Sequence, residues 1–237
     1  SSFEPALEAL AKADAIAEVT GDPRLQTVAA WCAGVLHAVM GNAEAGVAAC
    51  RRAVECAPDP LNRAVATGWL GYAHMESGDA AQAISLLERA AGQFGRFGYR
   101  PLQAWFTAFL AEAHRIGGQL DVAREVATKA LQIATDSRVQ AAIGWARLSL
   151  GRIAIATGAH AEAETHLKEA LRNFTSTQSR SEMGRTQMDL AVAAHGQGNV
   201  EAATASLRKA HELFTTLKVP EYVRRAEQLA RDLAIAL

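Results

Sequence analysis

The chain of 237 residues carries 24 Lys and Arg against 25 Asp and Glu, a formal net charge of -1. Hydrophobic residues make up 50% of it, enough to bury a large core in one domain or one continuous array. The balanced charge argues against a nucleic-acid partner, which needs a basic excess or a basic stripe. It argues equally against an anionic membrane surface as the partner.

The cysteines and the N-terminal residues bear on the cellular compartment of the protein. Cys32, Cys50 and Cys56 lack the C-x-x-C spacing of a zinc site, and an odd number cannot form a disulfide framework. We interpret them as small packing residues in a reducing compartment. Residues 1–15 have neither the basic start nor the apolar stretch of a signal peptide, and no run of about 18 apolar residues offers a membrane span. We therefore predict a cytoplasmic protein, or a cytoplasmic piece of a larger one.

The apolar residues recur at intervals of three and four along the chain, as in Ala83, Leu86, Leu87 and Ala90. This is the period of a helix, and no segment alternates between apolar and polar residues as a half-buried strand would. The sequence therefore predicts an all-α fold.

Glycines typical of tight turns punctuate this helical pattern at a nearly constant spacing. The four intervals between the five turn glycines are 37, 40, 40 and 40 residues long. Small residues stand seven positions before each turn and twelve positions after it, as closely crossing helices require. The pattern predicts antiparallel helix pairs that stack, because one pair cannot bury its own apolar face. The turn glycines are Gly41, Gly78, Gly118, Gly158 and Gly198.

The register divides the chain into one continuous array, residues 1–237. The first helix has the pattern of the second helix of a preceding unit, which indicates an excised fragment. Pro220 begins the last helix, and the polar outer side of that helix suits a cap. The predicted segments are an orphan helix at 1–20, repeats at 21–58, 59–98, 99–138, 139–178 and 179–218, and a capping helix at 219–237.

One unit carries the order of a known signature. Leu70, Gly71 and His74, followed by Ala83 and Leu87, resemble the tetratricopeptide repeat motif W-x2-L-G-x2-Y…A-x3-F. Most tryptophan and tyrosine positions of the motif are replaced here, and most units are longer than is usual in that family. The resemblance implies an α-solenoid of antiparallel helix pairs, with about 40 residues to a repeat, wound into a superhelix.

The end of the chain resembles the repeat arrays of large bacterial regulators, including LuxR-type regulators. The similar residues are Phe214, Leu217 and Pro220, followed by R-A-x2-L-A-R-x-L. In those proteins the C-terminal repeats follow a P-loop ATPase and are joined to a DNA-binding or nucleotidyl cyclase domain. This resemblance implies a signalling role for a parent protein.

Motifs that carry catalysis are missing from the sequence. It contains no G-x4-G-K-[ST] loop, no H-E-x2-H pair and no G-x-S-x-G elbow. We therefore expect no enzyme activity, no catalytic residue, no bound metal and no cofactor.

The resemblance to tetratricopeptide repeats implies a concave groove lined by the first helix of each unit. All four tryptophans fall on that face, and Trp and Arg are enriched at binding hot spots. Arg115, Arg152 and Arg185 together could hold an acidic segment. In the alternative interpretation, the aromatic residues only pack and the arginines are solvated. The predicted groove residues are Trp31, Trp69, Tyr72, Trp105, Glu112, Arg115, Trp145, Arg152, Arg185 and Asp189.

The first functional hypothesis is a protein–protein interaction scaffold that binds a peptide or a protein domain in this groove. The alternative is an effector-sensing repeat domain of a larger signalling ATPase, cyclase or transcription regulator. A scaffold would show a long open groove, whereas a sensor would show a closed pocket near Trp105 and Trp145. Self-association through exposed ends of the array is a further alternative.

Three histidines, His37, His74 and His114, occupy the same place in successive units. A row of histidines can bind metal, but this place normally holds a packing aromatic residue, which imidazole can replace with one hydrogen bond. We predict that the three are structural and that calorimetric titration with zinc or nickel detects no tight binding. A stoichiometric signal that is lost in His74→Ala would contradict this prediction.

Overall fold

In the computed structural model, which describes residues 3–237, the chain folds into helices, and no strand occurs in that range. The all-α prediction is confirmed. The helices are α1 Glu4–Thr20, α2 Pro23–Val39, α3 Ala43–Cys56, α4 Pro60–Glu76, α5 Ala80–Arg96, α6 Arg100–Ile116, α7 Leu120–Asp136, α8 Gln140–Ala156, α9 His160–Ser176, α10 Arg180–Gly196, α11 Val200–Leu217 and α12 Pro220–Asp232.

The helices stack as a solenoid of hairpins. Extensive packing joins α2 to α3, α4 to α5, α6 to α7, α8 to α9 and α10 to α11, and the packing of α5 on α6 equals that of α4 on α5. The first helix of each hairpin also packs on the first helix of the next, whereas the second helices pack on first helices. The first helices α2, α4, α6, α8 and α10 therefore form the inner, concave layer, and the second helices form the outer layer.

Two kinds of turn connect the helices. The five glycines predicted from the sequence adopt φ between 76° and 86° and close the hairpins. Between hairpins, the chain again takes a positive φ at Gly98, Arg138, Gln178 and Lys218. Three of these residues carry side chains, so this second turn has no consistent glycine signal in the sequence.

Close helix crossings form the core of each hairpin. A methyl group added at Gly34 would meet Cys50, and the corresponding clashes at Gly71 and Gly151 are with Leu87 and Leu167. These are the small and large positions that recur through the repeat. Burial raises the pKa of the Cys50 thiol to about 12, together with the nearby Cys32, as expected for packing residues.

The array curls until its two ends touch. Phe3 packs against the hydrophobic cluster at the end of α11 and the start of α12. Lys218 Nζ donates a hydrogen bond to Glu4 Oε1 at 2.9 Å. The turn at Gly41 lies against Glu221 of α12, close enough that a methyl group on Gly41 would meet the Glu221 side chain. The first and last helices of the array are therefore in contact.

Helix α1 is the most exposed helix of the array. Ala17 is its one fully buried residue within the described range. Ile16 and Val19 are 57% and 88% exposed, so this end of the array presents apolar side chains, and self-association through it stays a prediction. Across residues 3–237, every helix is too short or too polar to traverse a lipid bilayer.

The crossing at Gly144 gives a test of the packing. Gly144→Ala would place a methyl group 2.7 Å from the ring of Phe174, which is fully buried and cannot move aside. We expect it to lower the free energy of unfolding by about 1–3 kcal/mol. Gly92→Ala is the matched control. Gly92 is an exposed helix position, and a methyl group added there would lie 3.8 Å from its nearest neighbour. That change should stabilise the protein by up to about 1 kcal/mol. Thermal unfolding followed by circular dichroism checks both, and equal effects would contradict the packing described.

Candidate functional site

Aromatic side chains from four successive first helices contact one another along the concave layer. Trp31 stacks on Trp69 with ring centroids 5.4 Å apart, and Trp69 lies 6.2 Å from Trp105. Phe109 continues the contact between Trp105 and Trp145, at 5.4 Å and 5.1 Å. We call Trp31, Trp69, Trp105, Phe109 and Trp145 the aromatic row.

The aromatic row is partly core and partly surface. Trp145 is 2% exposed, and so is Tyr72, whose ring lies 4.7 Å from Phe109 and 6.2 Å from Trp145. Trp31, Trp69 and Trp105 are half-buried. Packing accounts for Tyr72 and Trp145 in this conformation, and contact of the row with a partner stays a prediction.

A cavity of about 480 Å³ opens beside the aromatic row, where the C-terminal ends of α4, α6 and α8 and the middle of α10 meet α12. We call it the interior cavity. Apolar side chains including Met75, Ile116, Ile155 and Met188 form part of its wall. All five charged residues predicted for the groove line it. The charged residues and the tyrosine of the wall are Glu76, Glu112, Arg115, Arg152, Arg185, Asp189, Tyr222 and Arg225.

One chain of ion pairs crosses the cavity wall between neighbouring helices. Arg115 donates two hydrogen bonds to Glu112, both 2.9 Å long. Arg152 donates to Glu112 Oε1 from Nη1 and to Asp189 Oδ2 from Nε, both at 2.7 Å. The pairs therefore link α6, α8 and α10 through alternating charges.

Glu112 is held ionised by this network. Burial alone would raise its pKa, but attraction by Arg152 and Arg115, and the hydrogen bonds that both donate, lower it from 4.5 to about 2. Burial would lower the pKa of Arg152, and Asp189 and Glu112 instead raise it. Both charges therefore persist throughout the physiological pH range.

A second ion pair joins distant parts of the array. Arg185 of α10 bonds Glu76 at the end of α4, which precedes it by 109 residues. Nη1 donates to Oε1 at 3.0 Å, and Nη2 donates to Oε2 and to the hydroxyl of Tyr222 in α12. The guanidinium lies 5.8 Å from the ring centroid of Trp145, so Arg185 connects the interior cavity to the aromatic row.

Sequence reasoning missed Glu76, Tyr222 and Arg225 as parts of the site. Glu76 has no counterpart in the repeat, because the positions 40 and 80 residues later hold Ile116 and Ala156. Tyr222 lies in the segment predicted only to be a cap. Neither the period nor any motif brings these residues to Arg185, so no signal in the sequence could have found them.

Two histidines of the row contact residues of the turn that follows them, and His37 Nδ1 is buried without a hydrogen-bond partner among residues 3–237. His74 Nδ1 lies 3.3 Å from Asp79 Oδ2, and His114 Nδ1 lies 2.6 Å from Gln119 Oε1. Asp79 and Gln119 cap the helices that follow. Within residues 3–237, no three His, Cys, Asp or Glu side chains group as a metal site. The titration result stays a prediction.

Two protein-family models match the chain, and both are described as tetratricopeptide repeat. One matches residues 62–136 and 106–176, and the other matches residues 148–215. Together they cover more than half of the chain. No curated protein sequence matches it.

Solved structures with the same fold share little sequence with the chain. The Rap conjugation gene regulator of plasmid pLS20, in complex with a Phr peptide, has a TM-score of 0.74 and 16% identity, over 87% of this chain and 58% of its own. A Rap protein complexed with competence and sporulation factor has a TM-score of 0.67 and 14% identity, over 89% and 76%. A signal transduction ATPase with numerous domains from Pyrococcus horikoshii, which has a tetratricopeptide repeat sensor, has a TM-score of 0.60 and 18% identity, over 86% and 33%. These matches confirm the solenoid fold, and the chain spans only part of their lengths.

The low pKa of Glu112 predicts a pH-dependent contribution to stability. A pKa that falls from 4.5 to about 2 on folding stabilises the folded state by about 3 kcal/mol above pH 4.5, and this is lost as the pH falls towards 2. Glu112→Gln should therefore lower the free energy of unfolding by about that amount at pH 7 and by roughly half as much or less at pH 3. Thermal or urea unfolding at both pH values checks this.

The matched control is Glu125→Gln, which neutralises an exposed carboxylate on α7. Its effect should stay within about 0.5 kcal/mol at both pH values. A destabilisation by Glu112→Gln that is the same at pH 7 and pH 3 would show that the ionised form of Glu112 is not the stabilising one.

Proposed function

The chain belongs to the tetratricopeptide repeat family, and we propose that its concave layer binds a short segment of another polypeptide at the interior cavity. The observation that carries the proposal is the convergence of five helices on one concave space with both apolar and charged walls. Binding sites commonly combine an apolar lining with a few placed polar groups that fix orientation. Such a wall can take the backbone and the side chains of a peptide together.

Partly accessible arginines support this proposal. The side chain of Arg115 is 27% exposed and that of Arg152 is 18% exposed, so both reach the cavity. Arg115 bonds Glu112 through Nε and Nη2, and Arg152 bonds carboxylates through Nε and Nη1. Because a guanidinium carries five N–H donors, each arginine retains donors for a ligand.

The structural neighbours add support at the level of the fold. Two of them are complexes, one with a Phr peptide and one with competence and sporulation factor. The solenoid therefore accommodates a ligand in related architectures. We propose a recognition role without catalysis for this chain, since the titratable groups of the cavity pair with one another, and we propose that it acts in the cytoplasm.

The size of the cavity supports a second candidate function, the sensing of a small effector for a larger regulator. A volume of about 480 Å³ lies within the range of small-molecule sites. One neighbour carries its repeats as the sensor of an ATPase. Effector sensing and peptide binding would thus use the same site and differ in the ligand.

Selection from a random peptide library tests the first function. Peptides selected on the wild-type protein should bind Arg115→Gln roughly 10-fold to 100-fold more weakly by calorimetry, because each peptide loses hydrogen bonds to a charged group. Glu112 keeps the hydrogen bond that Arg152 donates to it in this variant, so the buried carboxylate stays paired. Arg172→Gln, at a side chain that is 74% exposed on α9, is the matched control and should leave affinity unchanged.

Two outcomes decide against peptide recognition at the cavity. Selected peptides that bind both variants equally would place binding elsewhere. A library that yields no peptide, together with a metabolite that raises the melting temperature of the wild type but not of Arg115→Gln, would favour effector sensing.

A further inference from the structure

Arg185 differs from the other arginines of the interior cavity in what it bonds. Arg115 and Arg152 pair with carboxylates of their own helix or of the adjacent first helices. Arg185 instead takes its carboxylate from Glu76, at the C-terminal end of a helix three hairpins away in the chain. The pair spans the concave layer and is not part of the stacking between neighbouring units.

The surroundings of Arg185 form a receptor for a carboxylate. Its guanidinium binds both carboxylate oxygens of Glu76, the two-point geometry that this group prefers. The rings of Trp145 and Tyr222 lie 5.8 Å and 5.0 Å from the guanidinium carbon, which fixes its plane. Tyr222 adds its hydroxyl, 3.5 Å from Glu76 Oε2. The side chain of Arg185 is 8% exposed, so charge attraction is strong there.

The carboxylate in this receptor comes from the end of a helix. Glu76 is the last residue of α4 and its side chain is 7% exposed, whereas the next residue, Ser77, is exposed. Glu76, Arg185 and Tyr222 all belong to the wall of the interior cavity, so a ligand in the cavity reaches the same place. A second carboxylate can enter only where Glu76 withdraws, since Arg185 is bonded at both terminal nitrogens.

Resting on the proposed function, we infer that Arg185 and Tyr222 form a carboxylate subsite, that Glu76 occupies it in the free protein, and that an acidic residue of the bound peptide replaces Glu76. The ligand class is thus a peptide that carries Asp or Glu. Exchange of one carboxylate for another keeps the buried guanidinium paired, which avoids the large cost of an isolated buried charge.

The exchange couples binding to the closure of the array. Glu76 is hydrogen-bonded to α10 and α12, so its departure removes a link between α4 and the last helices. The internal carboxylate also acts as a competitor, because its local concentration is high and an external acid must displace it. Removal of the Glu76 charge should therefore strengthen the binding of acidic peptides.

The probe is a hexaglutamate peptide with blocked ends, and hexaglutamine is its neutral counterpart. Glu76→Gln should bind hexaglutamate at least tenfold more tightly than the wild type, read by calorimetry and by tryptophan fluorescence. The double variant Glu76→Gln/Arg185→Gln should lose that gain, and hexaglutamine should gain nothing. Glu88→Gln, which neutralises an exposed carboxylate on α5, is the matched control and should behave as the wild type.

Hydrogen exchange of the wild-type protein tests the subsite even if the variants do not fold. Saturating hexaglutamate should raise hydrogen exchange in the turn after α4, because displaced Glu76 no longer anchors it. The subsite is refuted if Glu76→Gln and the double variant bind hexaglutamate alike. It is also refuted if the variants fail to fold and the exchange of that turn in the wild type is unchanged.

The carboxylate subsite and the proposed function can be refuted separately. If library peptides bind the wild type and weaken in Arg115→Gln while Glu76→Gln changes nothing, only the carboxylate subsite is wrong. If no library peptide binds, the failure concerns the proposed function itself.

Discussion

Close approach between neighbouring helices is the constraint on which the rest of the structure depends. Glycine and alanine at the crossing points let α-helices approach to the distance at which Leu87, Leu167 and similar residues fill the remaining space. The same crossing recurs within successive hairpins, so that hairpins of similar shape stack on one another. The stacked hairpins curve until Phe3 packs against the cluster at the start of α12, and the cavity lies on the concave side of this curve.

Burial explains why the charges of the concave layer are paired. A buried charge is unfavourable unless an opposite charge and hydrogen bonds compensate it. Glu112, shared by Arg115 and Arg152, meets this requirement through adjacent helices. Arg185 meets it through Glu76, and so the electrostatic requirement of one helix is tied to the position of a helix far away in the chain.

The local part of this architecture was predictable from the sequence, and the long-range part was not. Gly78 and the equivalent glycines predict the hairpins, because the turn inside each hairpin needs a residue that tolerates positive φ. The resemblance to tetratricopeptide repeats also implied that Arg152 and Asp189 lie on the same concave face. A repeat pattern describes each unit and its neighbour, however, and closure results from many small rotations added together. Contacts across 109 or 146 residues, such as those of Glu76, therefore lie beyond it.

The contact between the two ends of the array changes how its stability is distributed. An open solenoid behaves as a row of units whose terminal members have one neighbour and fray first. Here the hydrogen bond between Lys218 and Glu4 and the packing of Phe3 give the terminal helices a second neighbour. Unfolding of an end helix must then break the contact between the two ends as well as the packing on its neighbour in the chain. The array therefore gains a cooperativity that a linear row of the same units lacks.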